Sequence, residues 1–226
     1  MDMRFIDLGT VTPEQSVRID KAMLNSYSED TLLIYSRDRA CISIGRFQRV
    51  DDVVDQEYIK KNDIPVVRRI SGGSGIYSDE DQLTYSLIVS KGRLPVKRSD
   101  SFALICGAVV GVLKELGIEG KYKEINDILV NGKKISGGAQ AHTKNAILQH
   151  GSIILDVNDE IVRSVLKDNK KRVYDGLTSV RECLGYIPSR SEISEAFVRG
   201  FSGAFGPVSE GMLSDEENEI VRGTSL

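Results

Sequence analysis

Short β-prone runs and helix-period runs succeed one another along this chain, and the switches between them mark its elements. Met3 to Gly9 reads as a strand. Thr12, Pro13 and Gln15 then supply an N-cap, a proline at the first helical position and a capping-box partner, just before the apolar Val17, Ala22, Met23 and Leu24. Strands are predicted at Thr31 to Ser36 and Ala40 to Ile44, followed by a short helix through Glu57 and Lys61. Ile64 to Ile70 and Leu83 to Val89 flank a glycine cluster as strands. The strongest helix signal is Ser101 to Leu116, where Phe102, Ile105, Val109, Val112 and Leu116 form one stripe and Gly117 a C-cap. A strand from Ile147 to Leu155, a helix near Glu160 to Leu166 and a long helix from Glu192 to Ala204 complete the pattern. Mixed strands and helices with adjacent hairpins predict an α+β fold, with mixed and antiparallel sheets flanked by helices.

Two loops interrupt this pattern with chemistry of their own. The first follows Arg68 and Arg69 and runs Ile70, Ser71, Gly72, Gly73, Ser74, Gly75, Ile76, Tyr77, Ser78, Asp79. Glycines at this density let backbone N–H groups approach a bound group closely, and the arginines offer forked donors for phosphate or carboxylate. Alone, such a cluster is more often a plain turn. The second is Asn131-Gly132, a signal for a two-residue type I′ hairpin. With that turn, Val130 faces Lys133, Leu129 faces Lys134 and Asp127 faces Ser136. Strand alternation then puts Asp127, Leu129, Lys134 and Ser136 on one face and turns Lys133 away.

Composition narrows the class. The chain has 226 residues, 40% apolar and 28% charged, which suits one globular domain with a substantial core. A formal net charge of −3 gives no electrostatic footprint for nucleic acid. No apolar run is long enough to span a bilayer and the N-terminus lacks a signal-peptide core, so a cytoplasmic location is expected. Cys41, Cys106 and Cys183 lack the spacing of a zinc site or disulfide framework, and only His142 and His150 are present. Cys41 and Cys106 read as core, Cys183 as part of a polar loop, and His150 as a hydrogen-bonded core histidine.

Taken together, these segments resemble the lipoate-protein ligase family, which is related in fold to octanoyltransferases and biotin protein ligases. The resemblance rests on Arg68 to Asp79, on Asn126 to Gln140 with its Gly132-Lys133-Lys134-Ile135-Ser136-Gly137 core, on Gln149 to Leu155, and on Ser43 to Gln48. It runs from about Phe5 to about Gly206. Two positions depart from the family pattern: Ser74 replaces the third loop glycine and Ser78 replaces a histidine.

The resemblance implies a lipoate ligase-like catalytic domain over residues 1–206, with 207–226 as an acidic C-terminal tail. It implies ATP-dependent activation of lipoate or octanoate, with Mg²⁺, and transfer of the acyl group to a lysine of a lipoyl-domain protein, such as an E2 subunit or a glycine cleavage H protein. Lys134 would be catalytic. Arg69, Ser71, Gly72, Gly73, Ser74, Gly75, Gly45, Gly137 and Ala139 would contact the acid. Tyr77, Ser78, Asp79, Tyr85, Ser86, Asn126 and Asp127 would contact the nucleotide, with Asp127 also facing the metal. Many members carry a further small domain, so a separate accessory polypeptide is expected as a partner. Two rival readings follow from the same resemblance. One is an ATP-independent octanoyl or lipoyl transferase working through a cysteine thioester, although no cysteine lies near Asn126 and Asp127. The other is a non-catalytic subunit that binds the acyl-adenylate.

Overall fold

The computed structural model describes residues 2–157, 159–167 and 176–226. The chain begins with strand β1 (Met3–Val11), helix α1 (Pro13–Asn25), and strands β2 (Thr31–Arg37) and β3 (Cys41–Ile44). The predicted capping box starts α1: Thr12 Oγ1 accepts from the Gln15 amide at 3.1 Å, and Gln15 Oε1 accepts from the Thr12 amide at 2.8 Å. Short helices α2 (Val50–Val53) and α3 (Gln56–Lys61) lead to β4 (Val66–Arg68), β5 (Ile76–Ser78) and β6 (Gln82–Ser90). Then come α4 (Arg98–Glu115), β7 (Lys121–Lys123), β8 (Asp127–Val130), β9 (Lys133–His142) and β10 (Ala146–Ile154). Helices α5 (Asp159–Val165), α6 (Val180–Leu184) and α7 (Arg190–Phe205), strand β11 (Val208–Glu210) and helix α8 (Asp215–Gly223) follow.

The strands form an eight-stranded sheet in the order β11-β1-β2-β6-β10-β9-β8-β7 and a three-stranded sheet in the order β4-β3-β5. In the large sheet β1 runs parallel to β2 and β11, and the other pairs are antiparallel. This is the expected α+β architecture. Side chains alternate across β2: Leu32 and Ile34 join the core under α4 and α7, whereas Leu33 and Tyr35 pack toward α1. Because helices cover both faces there, β2 and β6 are buried almost throughout, and their sequences lack the polar alternation of a half-exposed strand. Helix α1 covers only part of its face. Over β9 and the ends of β6 and β10 the same face stays open, and the small sheet, with α2 and α5 packed on it, forms the opposite wall.

Three expectations need correction. The strand predicted at Ile64 to Ile70 shortens to β4, because the Arg68 guanidinium turns to the carbonyls of Gly45, Arg46 and Gln48 and the chain then bends into the glycine loop. Cys183 lies on α6 rather than in a loop; Ser179 caps that helix by accepting from the Glu182 amide. Residues 207–226 are not a tail. β11 adds to the edge of β1, and α8 packs on α1. Sequence periodicity had no purchase on that segment because its anchor is a pairing across the whole chain. Arg4 donates through Nη1 to Glu217 Oε2 at 2.9 Å and through Nη2 to Oε1 at 2.6 Å.

Burial alone would raise the Glu217 pKa, but the bonds from Arg4 and from the Ser214 amide hold it below its ordinary value of 4.5. The stabilisation from this group is therefore complete above pH 4.5 and is lost as the pH falls through the lowered folded value. Glu217→Gln should lower unfolding free energy by about 2 kcal/mol, as for loss of charge-assisted hydrogen bonds. Urea denaturation at pH 7 checks this, and the difference from the parent chain should shrink on acidification.

Candidate active site

A cavity of about 540 Å³ lies on the open face of the large sheet. Its floor is a row of residues in register across five strands: Tyr35 pairs with Thr84, Thr84 with Ser152, Ser152 with Gly137, and Gly137 with Asp127. Residues 73–77 of the glycine loop overhang this row. Ser16, Val17 and Asp20 of α1 close one end, and Gly176 and Leu177 border the hairpin end.

The hairpin forms as its turn dictates. Asn131 and Gly132 have φ of 50° and 82°, the left-handed pair a type I′ turn requires. Val130 faces Lys133 and Leu129 faces Lys134, as predicted, but a bulge follows. Ile128, not Asp127, faces Ser136, and Asp127 faces Gly137. The extra residue, Ile135, is fully buried in the core under α4. The predicted face survives it: Asp127, Leu129, Lys134 and Ser136 all line the cavity. Lys134 Nζ lies 2.6 Å from Asp127 Oδ1. Lys133 points away and meets Glu182 at 2.5 Å. Ser136 Oγ, buried beside Lys134, has no hydrogen-bond partner, so a hydroxyl is left available on the cavity wall.

Other predicted residues take different places. Arg69 does not present a free fork to a ligand. Its guanidinium donates to the carbonyls of Ser43, Gly72 and Ser74 at 2.7 to 2.8 Å, and it braces the glycine loop from inside. Burial, with the nearby Arg37 charge, pushes its pKa down to about 10. Gly73, Ser74, Gly75 and Tyr77 line the cavity, with Gly137, Gly138 and Ala139 opposite. Gly45 and Gly72 stand behind the wall; a side chain on Gly45 would collide with the Gly73 carbonyl, so Gly45 permits the loop to pack. The Asn126 side-chain amide donates to the Gly138 carbonyl and ties the hairpin to the cavity edge.

The proposed nucleotide edge moves most. Tyr85 is in the core against Phe197 and Phe201, beneath the floor rather than on it. Ser86 is fully buried and donates to Asp20. Tyr85 follows Thr84 on a strand whose alternate residues face opposite ways, and Thr84 is the one in the cavity. Ser78 is buried with an unpartnered hydroxyl and does not reach the cavity, because β5 pairs it against Cys41. Asp79 stands beside it, its pKa raised by burial.

Sequence reading missed the other wall. His150 is on the cavity surface, linked at 2.6 Å from Nε2 to Ser71 Oγ and at 2.6 Å from Nδ1 to Asp20 Oδ2. With a carboxylate on Nδ1, the neutral ring keeps its proton there and Nε2 accepts from Ser71. The order of groups matches a hydrolytic triad, but Ser71 is 1% exposed and off the cavity wall, so the chain acts as a brace between α1, the loop and β10. Only the juxtaposition of Asp20, 130 positions away, could have revealed it. Among the described residues no cysteine lines the cavity. Burial pushes the Cys106 thiol up to about 12 and raises that of Cys41, while Cys183 is exposed in a separate surface pocket with Lys133 and Glu182.

Comparison with known proteins places this geometry. The description lipoyl protein ligase A/B catalytic domain matches residues 12–202. An octanoyltransferase LipM from Geobacillus kaustophilus is 30% identical over 256 residues, covering 96% of this chain and 92% of its own. A structure of lipoate-protein ligase A bound with ATP is 27% identical with a TM-score of 0.88, covering 99% of this chain and 94% of the other. The bipartite lipoate protein ligase of Thermoplasma acidophilum, described with its E2 lipoyl domain, is 27% identical with a TM-score of 0.86, covering 99% and 91%. With the catalytic-domain match spanning most of its length and the hairpin lysine and glycine loop facing one cavity, the chain belongs to the lipoyl protein ligase A/B catalytic-domain family.

Proposed function

We propose that this enzyme is an ATP-dependent ligase that activates lipoate or octanoate as the acyl-adenylate and passes the acyl group to a lysine of a lipoyl-domain protein. The observation that carries this reading is the Lys134–Asp127 pair on a cavity wall that holds no cysteine among its described residues. In the first step a carboxylate oxygen of the acid bonds to the α-phosphorus of ATP and the bond to pyrophosphate breaks. Both partners are anionic, so the site must neutralise them while holding them in line. Lys134 supplies the positive charge. Its ammonium trades Asp127 for the acyl and phosphate oxygens, and Asp127 would be the residue to hold a Mg²⁺ accompanying ATP, which would add charge neutralisation at the phosphates. One carboxylate suits that ion, which keeps much of its shell as water and phosphate. The Ser136 hydroxyl is a neutral donor on hand, and residues 73–75 of the loop line the same cavity. In the second step the acceptor lysine amine bonds to the acyl carbon, AMP leaves, and the nitrogen loses a proton.

A second reading, a cysteine-dependent octanoyltransferase, is favoured by the names of the LipM relatives. It needs a thiolate within reach of the acyl carbonyl. Cys41 and Cys106 are buried thiols with raised pKa, and Cys183 lies outside the cavity. A partner subunit is supported by the bipartite ligase of T. acidophilum. An accessory chain that closes the site would slow hydrolysis of the adenylate.

Lys134→Ala should reduce acyl-adenylate formation by about 10²-fold or more, the scale of losing one oxyanion donor. Lys133→Ala should leave it within about threefold, since its partner Glu182 is at the surface. Pyrophosphate release with lipoate and ATP measures both, and equal losses would refute the assignment. Replacement of Cys41, Cys106 and Cys183 together should preserve adenylate formation in protein that circular dichroism shows to be folded; loss of acyl transfer from a carrier-bound octanoyl donor in that variant would instead establish the thioester route. The chain alone should modify a lipoyl domain slowly, and an accessory polypeptide added in trans should speed it. Rapid modification by the chain alone, followed by gel shift, would count against a second subunit.

A further inference from the structure

The floor row of the cavity has one gap. Tyr35, Thr84, Ser152 and Asp127 carry side chains there, and Gly137, set between Ser152 and Asp127, carries none. The gap is filled from elsewhere on the hairpin. A β-carbon on Gly137 would stand 2.6 Å from Lys134 Nζ, 2.7 Å from Lys134 Cε and 3.1 Å from Asp127 Oδ1. These lie inside the roughly 3.5 Å at which non-bonded heavy atoms ordinarily meet. The Lys134 ammonium therefore lies low over bare backbone at residue 137 and meets Asp127 Oδ1 across it at 2.6 Å.

The register that creates this arrangement is pinned on the main chain. The turn alone would set Asp127 against Ser136, which has a side chain; the bulge sets it against Gly137. One residue further on, the Gly138 amide donates to the Asn126 carbonyl at 3.0 Å, and the Asn126 side-chain amide donates back to the Gly138 carbonyl. The neighbouring glycines have a different cause. β-Carbons on Gly138 and Gly151 would meet Tyr85 Oη, at 3.2 and 2.6 Å, on the core side of the sheet. Of the three, Gly137 is the one whose missing side chain makes room on the cavity face for a charged group.

We propose that Gly137 is a positioning residue for Lys134: the space of its missing side chain is the seat of the ammonium, which keeps the lysine low so that acid and phosphate enter above it. This rests on the ligase reading only for the use made of Lys134. With a methyl group at residue 137, the flexible lysine end yields first, lifting off Asp127 into the space of the ligand. A cation displaced in this way loses the alignment on which rate depends. The strand has no cause to fail, because Gly137 lies within β9 without a left-handed φ, and the three nearest atoms all belong to the Lys134 and Asp127 side chains.

The test compares Gly137→Ala, Lys134→Ala and the double variant with the parent chain. Gly137→Ala should melt at or above the parent temperature, whereas Gly151→Ala, whose β-carbon would meet the Gly137 carbonyl and Tyr85 Oη at 2.6 Å, should melt lower. Without substrates, acetylation of Lys134 by acetic anhydride, located by peptide mass spectrometry, should run about threefold to fivefold faster in Gly137→Ala, the factor by which a partly exposed ion pair withholds its amine. Lys133, paired with Glu182, should react as in the parent. In pyrophosphate release with lipoate and ATP, kcat should fall about tenfold or more in Gly137→Ala, and the double variant should match Lys134→Ala. Unchanged acetylation of Lys134 in folded Gly137→Ala would overturn the proposal. Rate losses that multiply in the double variant would do the same, since Gly137 would then act on the ligand directly. If Gly137→Ala does not fold, the double variant must, because the obstructing side chain is gone; failure of both also overturns it. Acetylation is read without turnover. A chain with faster Lys134 acetylation in Gly137→Ala that forms no adenylate therefore upholds this inference while the ligase reading fails.

Discussion

The ion pair between Lys134 and Asp127 depends on a two-residue turn. Left-handed φ at Asn131 and Gly132 closes the hairpin tightly, and strand alternation then sends Ile135 into the core while Lys134 faces the cavity. The hairpin aims a cation from the wall of a packed domain into solvent-sized space, and the bulge that follows shifts the pairing so that Asp127 lies across from Gly137. Such a device belongs where a side chain must be pointed rather than merely exposed.

Charge then divides the cavity by task. Arg69, the most prominent cation of the glycine loop, is spent internally: its three backbone carbonyl contacts hold the loop over the floor, and its lowered pKa reports the cost of that burial. The Asp20–His150–Ser71 chain braces the adjoining wall by the same principle, with each polar atom satisfied by a neighbour. Facing the cavity from the hairpin are the Lys134 ammonium, paired with Asp127, and the unpartnered Ser136 hydroxyl. The bracing groups are saturated, and the Ser136 hydroxyl is not. That contrast distinguishes polar groups within one cavity more sharply than burial does, since both kinds are buried.

Members of one family with this fold include proteins named as ligases and proteins named as octanoyltransferases. The two chemistries differ in what carries the acyl group, a phosphate or a thiol, and so in whether the wall needs a cation pair or a cysteine. Here the cation is present, and the buried thiols lie under the floor or between the small sheet and α1. Cys106 packs beneath the floor near Tyr85 and Gln149, where a thiolate would be desolvated.

By itself the sequence determined the elements and the local geometry that short-range chemistry controls. The Thr12 capping box, the apolar stripe of α4, the Asn131-Gly132 turn and the shared face of Asp127 and Lys134 follow from neighbours a few positions apart, and each was legible there. Tertiary structure decided everything that depends on distant partners. It turned Arg69 into a brace because the carbonyls it meets come from a loop folded back on it, drew Tyr85 and Ser86 away from the cavity because α7 and α1 claim them, and folded residues 207–226 onto the sheet through Arg4 and Glu217. It also brought Asp20, His150 and Arg37 to one cavity from three separate elements. Local patterns carry propensity and alternation; which polar group is satisfied, and which is left for a ligand, is settled only when the chain closes on itself.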